Sequence, residues 1–562
     1  MSYCHLRSGG YGNISLTFGQ DHPSGEDAWR VPTVMSTHVV SRAQSYPSCL
    51  SVIIPALIFE DGDHNVHRWT FAELDRDASR LAHALRALGI ERGDRVALHT
   101  GMRPETGIAH MALHKLGAVA VTLSQLYGPD TLAHILNHAE AKAIVTQDTA
   151  WQRFRGRLAE FPTLEHRIVV GAAEAGETAF AEMVAAGPDS LAAVDTAADE
   201  MALLMYTSGS TGLPKGIMHG HRILEAYVPS LSFVFNLDRD ADDIVFWSPA
   251  DWAWVGGLLD LLLIAWRFGC TVATTEHRFD AEWSFGFMQR IGVTHSFMTP
   301  TALKRLAQVP DARKRWPGLK FRVVGTGGEA LPGAVLDWAR GDMGMVCNEF
   351  YGLTEVNHLI GNCDALYPAQ AGSMGMAYPG HRTTIVDADG EPLADGEEGE
   401  VVAAGDDVTR FLGYWKDEER SRALRLGPWL RTGDMAARDG DGYFWYRGRT
   451  DDLIKSAGYR IGPAEVEDCL VRHAAVAEAA VVASPDADRG NIVKAFVRLA
   501  DGHAGTAALT AALQAHVKEN LAAYKYPREI EYVDAFELTS SGKISRKKLR
   551  EAEVARKAGS AS

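Results

Sequence analysis

The stretch that decides the fold reads Tyr-Thr-Ser-Gly-Ser-Thr-Gly-Leu-Pro-Lys-Gly and spans Tyr206–Gly216. The apolar run Met201–Met205 precedes it and predicts a buried strand that ends where the polar stretch begins. Its three glycines let the backbone bend sharply and approach a ligand closely. Lys215 adds a positive charge, and four hydroxyl side chains can face the same anion: Thr207, Ser208, Ser210 and Thr211. The stretch therefore predicts a phosphate cradle, although its spacing is not that of a Walker A loop.

The composition is that of an ordinary soluble globular protein with several packed subdomains. The chain has 562 residues, of which 46% are hydrophobic and 23% charged. Its formal net charge of −16 argues against a general nucleic-acid or membrane binder. None of the six cysteines lies in C-x-x-C spacing, so we expect reduced thiols and no zinc site. These features predict a cytoplasmic protein, and they leave its oligomeric state open.

No segment of the sequence predicts a membrane span or a cleaved leader. The most apolar run, Val255–Trp266, is too short to cross a bilayer and contains Asp260, so it predicts a buried helix. Residues 1–34 are rich in Gly, Ser and polar groups and lack an apolar core. We expect them to form a loose extension, with Met35 as an alternative start.

Helical and strand-like segments alternate along the first part of the chain. Trp69–Leu88 and Glu105–Leu116 have helical periodicity, whereas Arg95–His99 and Ala118–Leu123 are short apolar runs typical of strands. This alternation predicts an α/β fold with largely parallel strands. The Ala-, Gly- and Asp-rich stretch Glu174–Glu200 predicts a connector that leads to the phosphate stretch.

The last third of the chain predicts two smaller units. Glycine turns punctuate short apolar runs over Val386–Gly413, which indicates a small β subdomain. Beyond the boundary Gly448–Asp452, helices and strands alternate in a compact α+β unit: Ala464–His473, Val476–Ala483, Ile492–Leu499 and Leu509–Leu521. We therefore predict a large N-terminal domain over residues 35–450 and a small mobile C-terminal domain over residues 451–562.

Three further motifs carry groups suited to a nucleotide. Gly327-Gly328-Glu329 follows the strand-like run Phe321–Val324, and its double glycine lets backbone approach a flat ligand. In the run Glu349–Glu355, Tyr351 can stack on a base, Thr354 can bond a phosphate oxygen and Glu355 offers the hard oxygen that Mg²⁺ prefers. Asp434, in the run Trp429–Asp434, is a carboxylate of the kind that holds ribose hydroxyls.

Taken together, these motifs resemble those of the adenylate-forming superfamily, which includes acyl-CoA synthetases, nonribosomal adenylation domains and luciferases. The resemblance extends from about Trp69 to Lys548, with the motifs in the order of the family. It implies that ATP is bound by Thr207, Ser208, Gly209, Ser210, Thr211, Gly212, Gly328, Glu329, Tyr351, Asp434 and Arg449. It also implies catalytic roles for Lys215, Thr354 and Glu355, with Glu355 as the Mg²⁺ ligand.

The same resemblance implies a two-domain mechanism. Asp451 stands at the family's hinge position, and Lys543 matches the mobile catalytic lysine that offsets charge at the α-phosphate. Glu537 stands where many members have proline, a departure that concerns the entry to the lysine loop. Making an acyl-adenylate and attacking it with a thiol require different groups around one carbonyl, and rotation of a small domain supplies both sets in turn.

The acceptor and the acid are implied by two further runs. Ser456–Pro463 is similar to the pantetheine-tunnel segment of acyl-CoA synthetases, above all the medium-chain enzymes, which implies contacts of Gly458, Tyr459 and Arg460 with CoA. The acyl tail is expected among Trp252, Trp254 and Gly256, with Gly352 on the opposite wall. Acetate-specific relatives carry tryptophan at the position of Gly352, so the resemblance implies a larger acid.

The sequence predicts an AMP-forming acid–CoA ligase whose substrates are ATP, CoA and a medium-chain or aromatic carboxylic acid. Two alternatives remain open: an adenylating enzyme that loads a carrier protein, and an inactive nucleotide-binding regulator. His219 and His221 follow Lys215 closely, and without a Cys/His cluster we expect a structural or pocket-gating role for them.

Overall fold

The computed structural model describes residues 55–207, 214–239, 243–450, 452, 454–456, 459–486, 489–521, 523–537 and 544–559. Several predictions fall outside these residues, namely the extension 1–34 with Met35, the phosphate residues 208–213, the hinge Asp451, Gly458 and the mobile Lys543. They stay predictions, as do the exact domain boundaries.

Two large sheets, both mainly parallel, form the bulk of the molecule. The first has nine strands in the spatial order Met376–Ala377, Ile360–Gly361, Val346–Tyr351, Val323–Gly327, His295–Met298, Val245–Trp247, Thr271–Thr275, Pro55–Glu60 and Val66–Thr70. The second has eight strands in the order Gly413–Tyr414, Lys215–Gly220, Met201–Thr207, Val119–Thr122, Arg95–His99, Ala143–Gln147, His166–Val170 and Thr178–Ala179. The predicted α/β class with largely parallel strands is confirmed.

Helices cover these sheets. Those of the large domain are Phe71–Ala87, Pro104–Leu116, Pro129–Ala139, Asp148–Trp151, Phe180–Ala185, Ile223–Val234, Val255–Gly257, Ile264–Arg267, Ala281–Ile291, Pro300–Ala307, Ala312–Arg315, Gly333–Gly341 and Glu418–Ala423, with a 3₁₀ turn at Arg155–Glu160. Helix Phe71–Ala87 begins at Thr70 with a capping box, in which Thr70 Oγ1 accepts from the Glu73 N–H and Glu73 accepts from the Thr70 N–H. The predicted helix Trp69–Leu88 therefore starts two residues later, because Trp69 and Thr70 belong to a strand.

The two sheets share a core with the helices between them. One cluster of buried side chains joins Leu57 of the first sheet, Val96 of the second and residues of helices Phe71–Ala87 and Pro104–Leu116. Helix Pro104–Leu116 is buried on nearly its whole circumference, which explains its weak amphipathic pattern. Such burial fixes the distance between the sheets and hence between the loops at their edges.

Two expectations from the sequence need correction. The connector Glu174–Glu200 contains a strand, Thr178–Ala179, and a helix, Phe180–Ala185, whose Phe180 and Met183 are buried in the core. The predicted strand Phe321–Val324 lies later, at Val323–Gly327, because the parallel pairing with Val346–Tyr351 extends to Gly327. The pairing with neighbouring strands decides where a strand begins and ends, and a short apolar run in the sequence does not show these limits.

The predicted β subdomain is present as a five-stranded sheet of Thr383–Val386, Glu398–Ala404, Arg425–Leu426, Trp429–Arg438 and Phe444–Arg449. Two of its predicted turns lie at Gly390 and Gly396, each with φ +90°, a conformation that favours glycine. The long strand Trp429–Arg438 pairs with Phe444–Arg449 so that Asp434 lies opposite Arg449. This register places two of the predicted ATP-binding residues, Asp434 and Arg449, side by side.

The C-terminal unit is a small α+β domain. Its strands are Ile454–Ser456, Tyr459–Ile461, Val476–Asp486, Gly490–Leu499 and Glu529–Tyr532, and its helices are Pro463–Val471, Ala507–Asn520 and Arg546–Gly559, with a 3₁₀ turn at Ala523–Lys525. Glu553 ties the last helix to the sheet, because its carboxylate accepts from Lys494 Nζ at 2.7 Å and from Ser484 Oγ at 2.7 Å. The predicted division into a large N-terminal and a small C-terminal domain is confirmed as a fold class.

Among the described residues, no helix is long and apolar enough to cross a membrane. The four cysteines of the described residues, Cys270, Cys347, Cys363 and Cys469, are all buried.

Candidate active site

The phosphate stretch lies between two paired strands. Met201–Thr207 and Lys215–Gly220 run antiparallel, with Thr207 directly opposite Lys215. Residues 208–213, which carry Ser208, Gly209, Ser210, Thr211 and Gly212, lie outside the described residues. Their phosphate-binding role therefore stays a prediction, but the strand pairing fixes the two ends of the stretch.

Helix Pro129–Ala139 also holds these ends. His134 Nε2 lies 3.1 Å from the carbonyl oxygen of Pro214, and His138 Nδ1 lies 2.8 Å from the hydroxyl of Tyr206. The two imidazoles stack with their centroids 5.4 Å apart. One helix thus contacts Tyr206 and Pro214, which flank residues 208–213.

Lys215 and Glu355 meet, although 140 residues separate them in sequence. Lys215 Nζ donates to Glu355 Oε1 at 2.9 Å and to the Tyr414 hydroxyl at 2.7 Å, and the Tyr414 hydroxyl donates to Glu355 Oε1 at 2.6 Å. Tyr414 lies on the strand Gly413–Tyr414, which pairs with Lys215–Gly220. The sequence analysis missed Tyr414; its signal was the aromatic run Phe411–Trp415 soon after a glycine-punctuated β segment.

The electrostatics of this group follow from its burial. Burial would raise the pKa of Glu355, but the charge of Lys215 and the hydrogen bonds from Tyr414 and Lys215 hold it below its ordinary value. Burial and the Glu355 carboxylate raise the pKa of Tyr414 above its ordinary value, against the opposing charges of Arg420 and Arg449. The group therefore holds one ammonium, one carboxylate and one neutral phenol.

A second group gathers around Asp434, which is only 4% exposed. Its Oδ2 accepts from the Tyr351 hydroxyl at 2.7 Å, and its Oδ1 lies 3.3 Å from the Tyr446 hydroxyl and 3.5 Å from Arg449 Nη1. Burial, followed by the charge of Asp434, raises the pKa of Tyr351 well above its ordinary value. The structure thus brings the predicted base-stacking and ribose residues together, and it adds Tyr446, which the sequence analysis missed.

The glycine turn at residues 327–329 lies at the end of a buried strand. Gly328 has φ +87°, and a Cβ at Gly327 would lie 2.8 Å from the carbonyl oxygen of Phe350. Glu329 accepts a hydrogen bond from Thr301 Oγ1 at 2.7 Å. The turn therefore packs closely against the segment that leads into Tyr351.

The loop with the predicted acyl-pocket tryptophans is fixed by a buried aspartate. Asp251 accepts from Ser124 Oγ at 2.6 Å and from the Ala253 N–H at 3.0 Å, while burial raises its pKa. Trp252 is 2% exposed and belongs to the main core, and Trp254 packs edge-on against Tyr127 at 5.9 Å. Trp252 therefore contributes to the stability of this loop, and its place in an acyl pocket stays a prediction.

Gly256 and Gly352 both face occupied space. A Cβ at Gly256 would overlap the ring of Phe297, and one at Gly352 would overlap the backbone N of His358 and lie 3.0 Å from Asn357 Cα. The turn at residues 357–358, with His358 at φ +56°, thus occupies the direction in which a side chain at 352 would project. Tryptophan at position 352 would require this turn to move, so Gly352→Trp is expected to depress activity on every acid.

The helix predicted over Val255–Trp266 is present and buried, but its centre, Leu258–Leu263, is a π-helical turn. Asp260, in this turn, is buried, and its Oδ1 lies 3.0 Å from His358 Nε2. The other ring nitrogen of His358 lies 3.3 Å from Ser230 Oγ. Asp260 therefore has a polar partner inside an otherwise apolar helix, although His358 lies 98 residues away in the sequence.

Of the two histidines after Lys215, His219 is buried and His221 half-buried. Burial lowers the pKa of His219 and of His221 to about 4, and Glu355 is the main opposing influence on His219. His219 lies in the strand Lys215–Gly220, opposite Leu203. The structural or pocket-gating role expected for them stays a prediction.

The predicted CoA-binding run forms a small hairpin. Ile454–Ser456 and Tyr459–Ile461 pair antiparallel, with Ser456 opposite Tyr459. Gly458 lies outside the described residues, and only the strand position of Tyr459 and Arg460 is described. The tunnel assignment therefore stays a prediction.

The fold and the two side-chain groups together define a class: a two-domain adenylate-forming enzyme. A family model described as AMP-binding enzyme matches residues 53–415, and the model of the AMP-binding enzyme C-terminal domain matches residues 465–543. The chain therefore belongs to the AMP-binding enzyme family, and the predicted resemblance is confirmed.

Individual relatives agree with this membership. The chain is 35% identical to the uncharacterized acyl–CoA ligase YtcI of Bacillus subtilis, over 90% of this chain and 94% of that protein. It is also 35% identical to the mitochondrial acyl-coenzyme A synthetase ACSM5 of Mus musculus, over 89% of this chain and 87% of that protein. The crystal structure of the anthranilate CoA ligase AuaEII with anthranoyl-AMP matches with a TM-score of 0.84 and 28% identity, covering 94% and 98% of the two chains. The expectation of a ligase is confirmed at this level.

Proposed function

We propose that the protein is an AMP-forming acyl-CoA synthetase. ATP and a carboxylic acid give an acyl-adenylate and pyrophosphate, and the thiol of CoA then attacks the acyl carbonyl and releases AMP. The observation that carries this proposal is the partly buried Lys215–Glu355–Tyr414 group, whose lysine stands near the end of the phosphate stretch. A cation and an anionic metal ligand at one end of a phosphate cradle are the groups that nucleotidyl transfer needs.

The second group supports the orientation of the nucleotide. Asp434 would accept from the ribose hydroxyls, and Tyr351 would lie against the adenine, whose edge would meet the turn at Gly328. Arg449, which lies 3.5 Å from Asp434, is also close enough to influence the pKa of Tyr414. It therefore spans the two groups, as a residue that contacts both ribose and phosphate must. Thr354, one residue before Glu355, would bond a phosphate oxygen.

The residues present fit a Mg²⁺ ion that is bound mainly through the nucleotide. The described residues contain no group of three or more side chains that could hold a metal alone. Mg²⁺ commonly takes one or two carboxylates and completes its octahedron with water and phosphate oxygens, and Glu355 would supply the carboxylate. Bound there, the ion would neutralise phosphate charge; Lys215 would hold the departing phosphate oxygens, and Lys543 would offset charge at the α-phosphate.

The acid is proposed to be medium-chain or aromatic. Buried aromatic rings pack beside Gly256 and Gly352: the ring centroids of Phe297 and Phe350 lie 5.8 Å apart, those of Phe350 and His358 4.7 Å apart, and those of His358 and Tyr227 4.6 Å apart. An acyl tail that enters this apolar environment would gain about 0.8 kcal/mol for each CH₂ that it buries, which favours rings or several methylenes over acetate. The similarity to an anthranilate CoA ligase supports the aromatic part of this range.

A panel of acids tests the substrate. CoA-dependent AMP release should be measured with acetate, butyrate, hexanoate, octanoate, benzoate and 2-aminobenzoate, and compared as kcat/KM, because discrimination is differential transition-state binding. We expect the longer or aromatic acids to exceed acetate by at least tenfold. A preference for acetate would contradict the assignment of the pocket.

Separate half-reactions test the two-pose mechanism. Lys543→Ala should nearly abolish acid-dependent ATP–pyrophosphate exchange, yet leave thioester formation from supplied acyl-adenylate largely intact. Gly458→Leu should have the reverse effect, since it would fill the pantetheine path. Parallel loss of both half-reactions in either variant would contradict that residue's role.

Two other functions are distinguished by the same assays. An enzyme that loads a carrier protein would catalyse exchange but release no AMP when free CoA is added. An inactive regulator would bind ATP and release no pyrophosphate with any acid. The intact Lys215, Glu355, Asp434 and Lys543 favour the catalytic assignment.

A further inference from the structure

The two side chains beside the Tyr414 hydroxyl determine which of its hydrogen bonds it donates and which it accepts. A lysine ammonium only donates hydrogen bonds, and a carboxylate only accepts them. The Tyr414 hydroxyl lies 2.7 Å from Lys215 Nζ and 2.6 Å from Glu355 Oε1. It must therefore accept from Lys215 and donate its single proton to Glu355.

Both bonds to Glu355 reach the same carboxylate oxygen. Oε1 accepts from Tyr414 and from Lys215, and no hydrogen bond from another described residue reaches Oε2. One oxygen of the carboxylate is thus anchored twice, which leaves the other for a ligand. The ammonium of Lys215 lies at the hydroxyl edge of the Tyr414 ring, with Nζ 4.3 Å from the ring centroid.

Tyr414 is itself held from outside the group. Its backbone N–H donates to Ser421 Oγ at 2.8 Å, and its strand pairs with the strand that begins at Lys215. The neighbouring Phe411 N–H donates to the carbonyl oxygen of Glu355 at 2.8 Å. The segment that carries Tyr414 therefore fixes the backbones of both residues that its hydroxyl contacts.

We propose that Tyr414 is a positioning residue of the adenylation site, which anchors Glu355 Oε1 and steers Lys215 so that Glu355 Oε2 is presented to the metal–nucleotide. The proposal rests on the proposed function, because it assigns Glu355 to the metal. A phenol does this without adding charge: a second cation at this place would compete with the metal, and a second carboxylate would capture Lys215. Without the hydroxyl, Glu355 would keep Lys215 as its one side-chain donor and would be free to turn both oxygens toward it.

Tyr414→Phe isolates the hydroxyl, because it keeps the ring and removes only the oxygen that bonds Lys215 and Glu355. The matched control is Tyr443→Phe, since the buried Tyr443 hydroxyl donates only to the Pro368 carbonyl oxygen, at 2.8 Å, in the described structure. Binding of Mn²⁺ in the presence of the non-hydrolysable analogue α,β-methylene-ATP, followed by electron paramagnetic resonance, gives a readout that does not depend on turnover. Steady-state adenylation at varied Mg²⁺ gives the second.

Loss of one hydrogen bond to a charged group predicts about tenfold weaker Mn²⁺–nucleotide binding in Tyr414→Phe. Adenylation should need correspondingly more Mg²⁺, whereas the KM for the acid and thioester formation from supplied acyl-adenylate should stay unchanged. Tyr443→Phe should match the wild type in both assays. An unchanged Mn²⁺ affinity in Tyr414→Phe would overturn the proposal, as would equal weakening in Tyr443→Phe.

The outcome also separates this proposal from the proposed function. If the wild type supports no exchange with any acid, yet Tyr414→Phe weakens Mn²⁺–nucleotide binding, the reaction is wrong and the positioning role stands. If exchange proceeds and Tyr414→Phe binds Mn²⁺–nucleotide like the wild type, the positioning role alone fails.

Discussion

At the residue scale, the site depends on polar side chains whose partners are distant in sequence. Asp434 is bonded by Tyr351, and Lys215 by Glu355 and Tyr414. Each buried charge in these groups has at least one partner of opposite charge or a hydroxyl, as burial in a low dielectric requires. A change to any one of them leaves a partner unsatisfied, so single substitutions are informative.

The first prediction concerns Asp434. Asp434→Asn keeps the size of the side chain but removes the charge opposite Arg449, so we expect kcat/KM for ATP to fall by about tenfold to a hundredfold, the value of a charged hydrogen bond. The KM for the acid should change little. Asp395→Asn is the control, because Asp395 pairs with Arg438 at 2.6 Å on the surface. Equal effects in the two variants would contradict the ribose assignment.

The second prediction concerns the buried pair of Asp260 and His358. Asp260→Asn should lower the free energy of unfolding by about 1–3 kcal/mol, because the imidazole of His358 loses the buried carboxylate beside it. Asp311→Asn, at an exposed ion pair with Lys314 at 2.6 Å, should change it by less than about 0.5 kcal/mol. Urea denaturation of both variants measures the difference. An Asp260→Asn protein as stable as the wild type would show that the pair does not support the helix.

At the element scale, the short helix Val255–Gly257 supports the loop that carries Trp252 and Trp254, which we call the tryptophan loop. A Cβ at Gly257 would lie 2.5 Å from the carbonyl oxygen of Asp251 and would overlap that of Ala250. The loop that carries Trp252 and Trp254 therefore packs directly on this turn of helix. Because the obstacle is backbone, it cannot be relieved by a change of rotamer.

The third prediction compares two helical glycines. Gly257→Ala should displace the tryptophan loop, raise the KM for the preferred acid and leave the KM for ATP nearly unchanged. Gly286→Ala, in helix Ala281–Ile291, has its nearest neighbour at 3.7 Å, in Trp316, and should stabilise the protein by about 0.5–1 kcal/mol. Kinetics with the best acid and thermal unfolding check both variants. A Gly257→Ala enzyme with unchanged acid kinetics would remove this loop from the pocket.

At the scale of the whole molecule, buried titratable groups couple stability to pH. Burial is the main cause that lowers the pKa of His110 to about 3 and those of His99, His219, His221 and His295 to about 4. Burial also raises the pKa of Glu349 to about 8 and that of Asp468 to about 6. The histidines and the carboxyl groups have opposite effects on how stability changes with pH, because histidine gains charge on protonation and a carboxyl group loses it.

The fourth prediction follows from this balance. The unfolded chain protonates histidine near pH 6.5, so it binds more protons than the folded chain between about pH 6.5 and 4, and stability falls as the pH falls through this window. Glu349 keeps its proton in the folded state and loses it in the unfolded state above about pH 4.5, so stability declines as the pH rises toward 8. We expect a maximum near pH 6.5 in urea midpoints measured from pH 4.5 to 8.

A variant at His110 checks the cause. His110→Leu removes one neutral buried imidazole, and should reduce the acid-side slope of the free energy of unfolding by up to about 1.4 kcal/mol per pH unit. The slope above pH 7 should not change. An unaltered acid limb would show that His110 is protonated to the same extent in both states.

The sequence by itself determined the class of fold, the order of the motifs and the residue types of the site. Periodicity places helices and strands because it records which face is buried, and a glycine- and hydroxyl-rich stretch with a lysine has few uses other than an anion. What only the tertiary structure decided are the partners: Tyr414 between Lys215 and Glu355, Tyr446 beside Asp434, and His358 beside Asp260. It also decided that backbone fills the space beyond Gly352. Contacts of this kind depend on strand register and loop paths that bring together residues far apart in the chain, and local sequence carries no record of them.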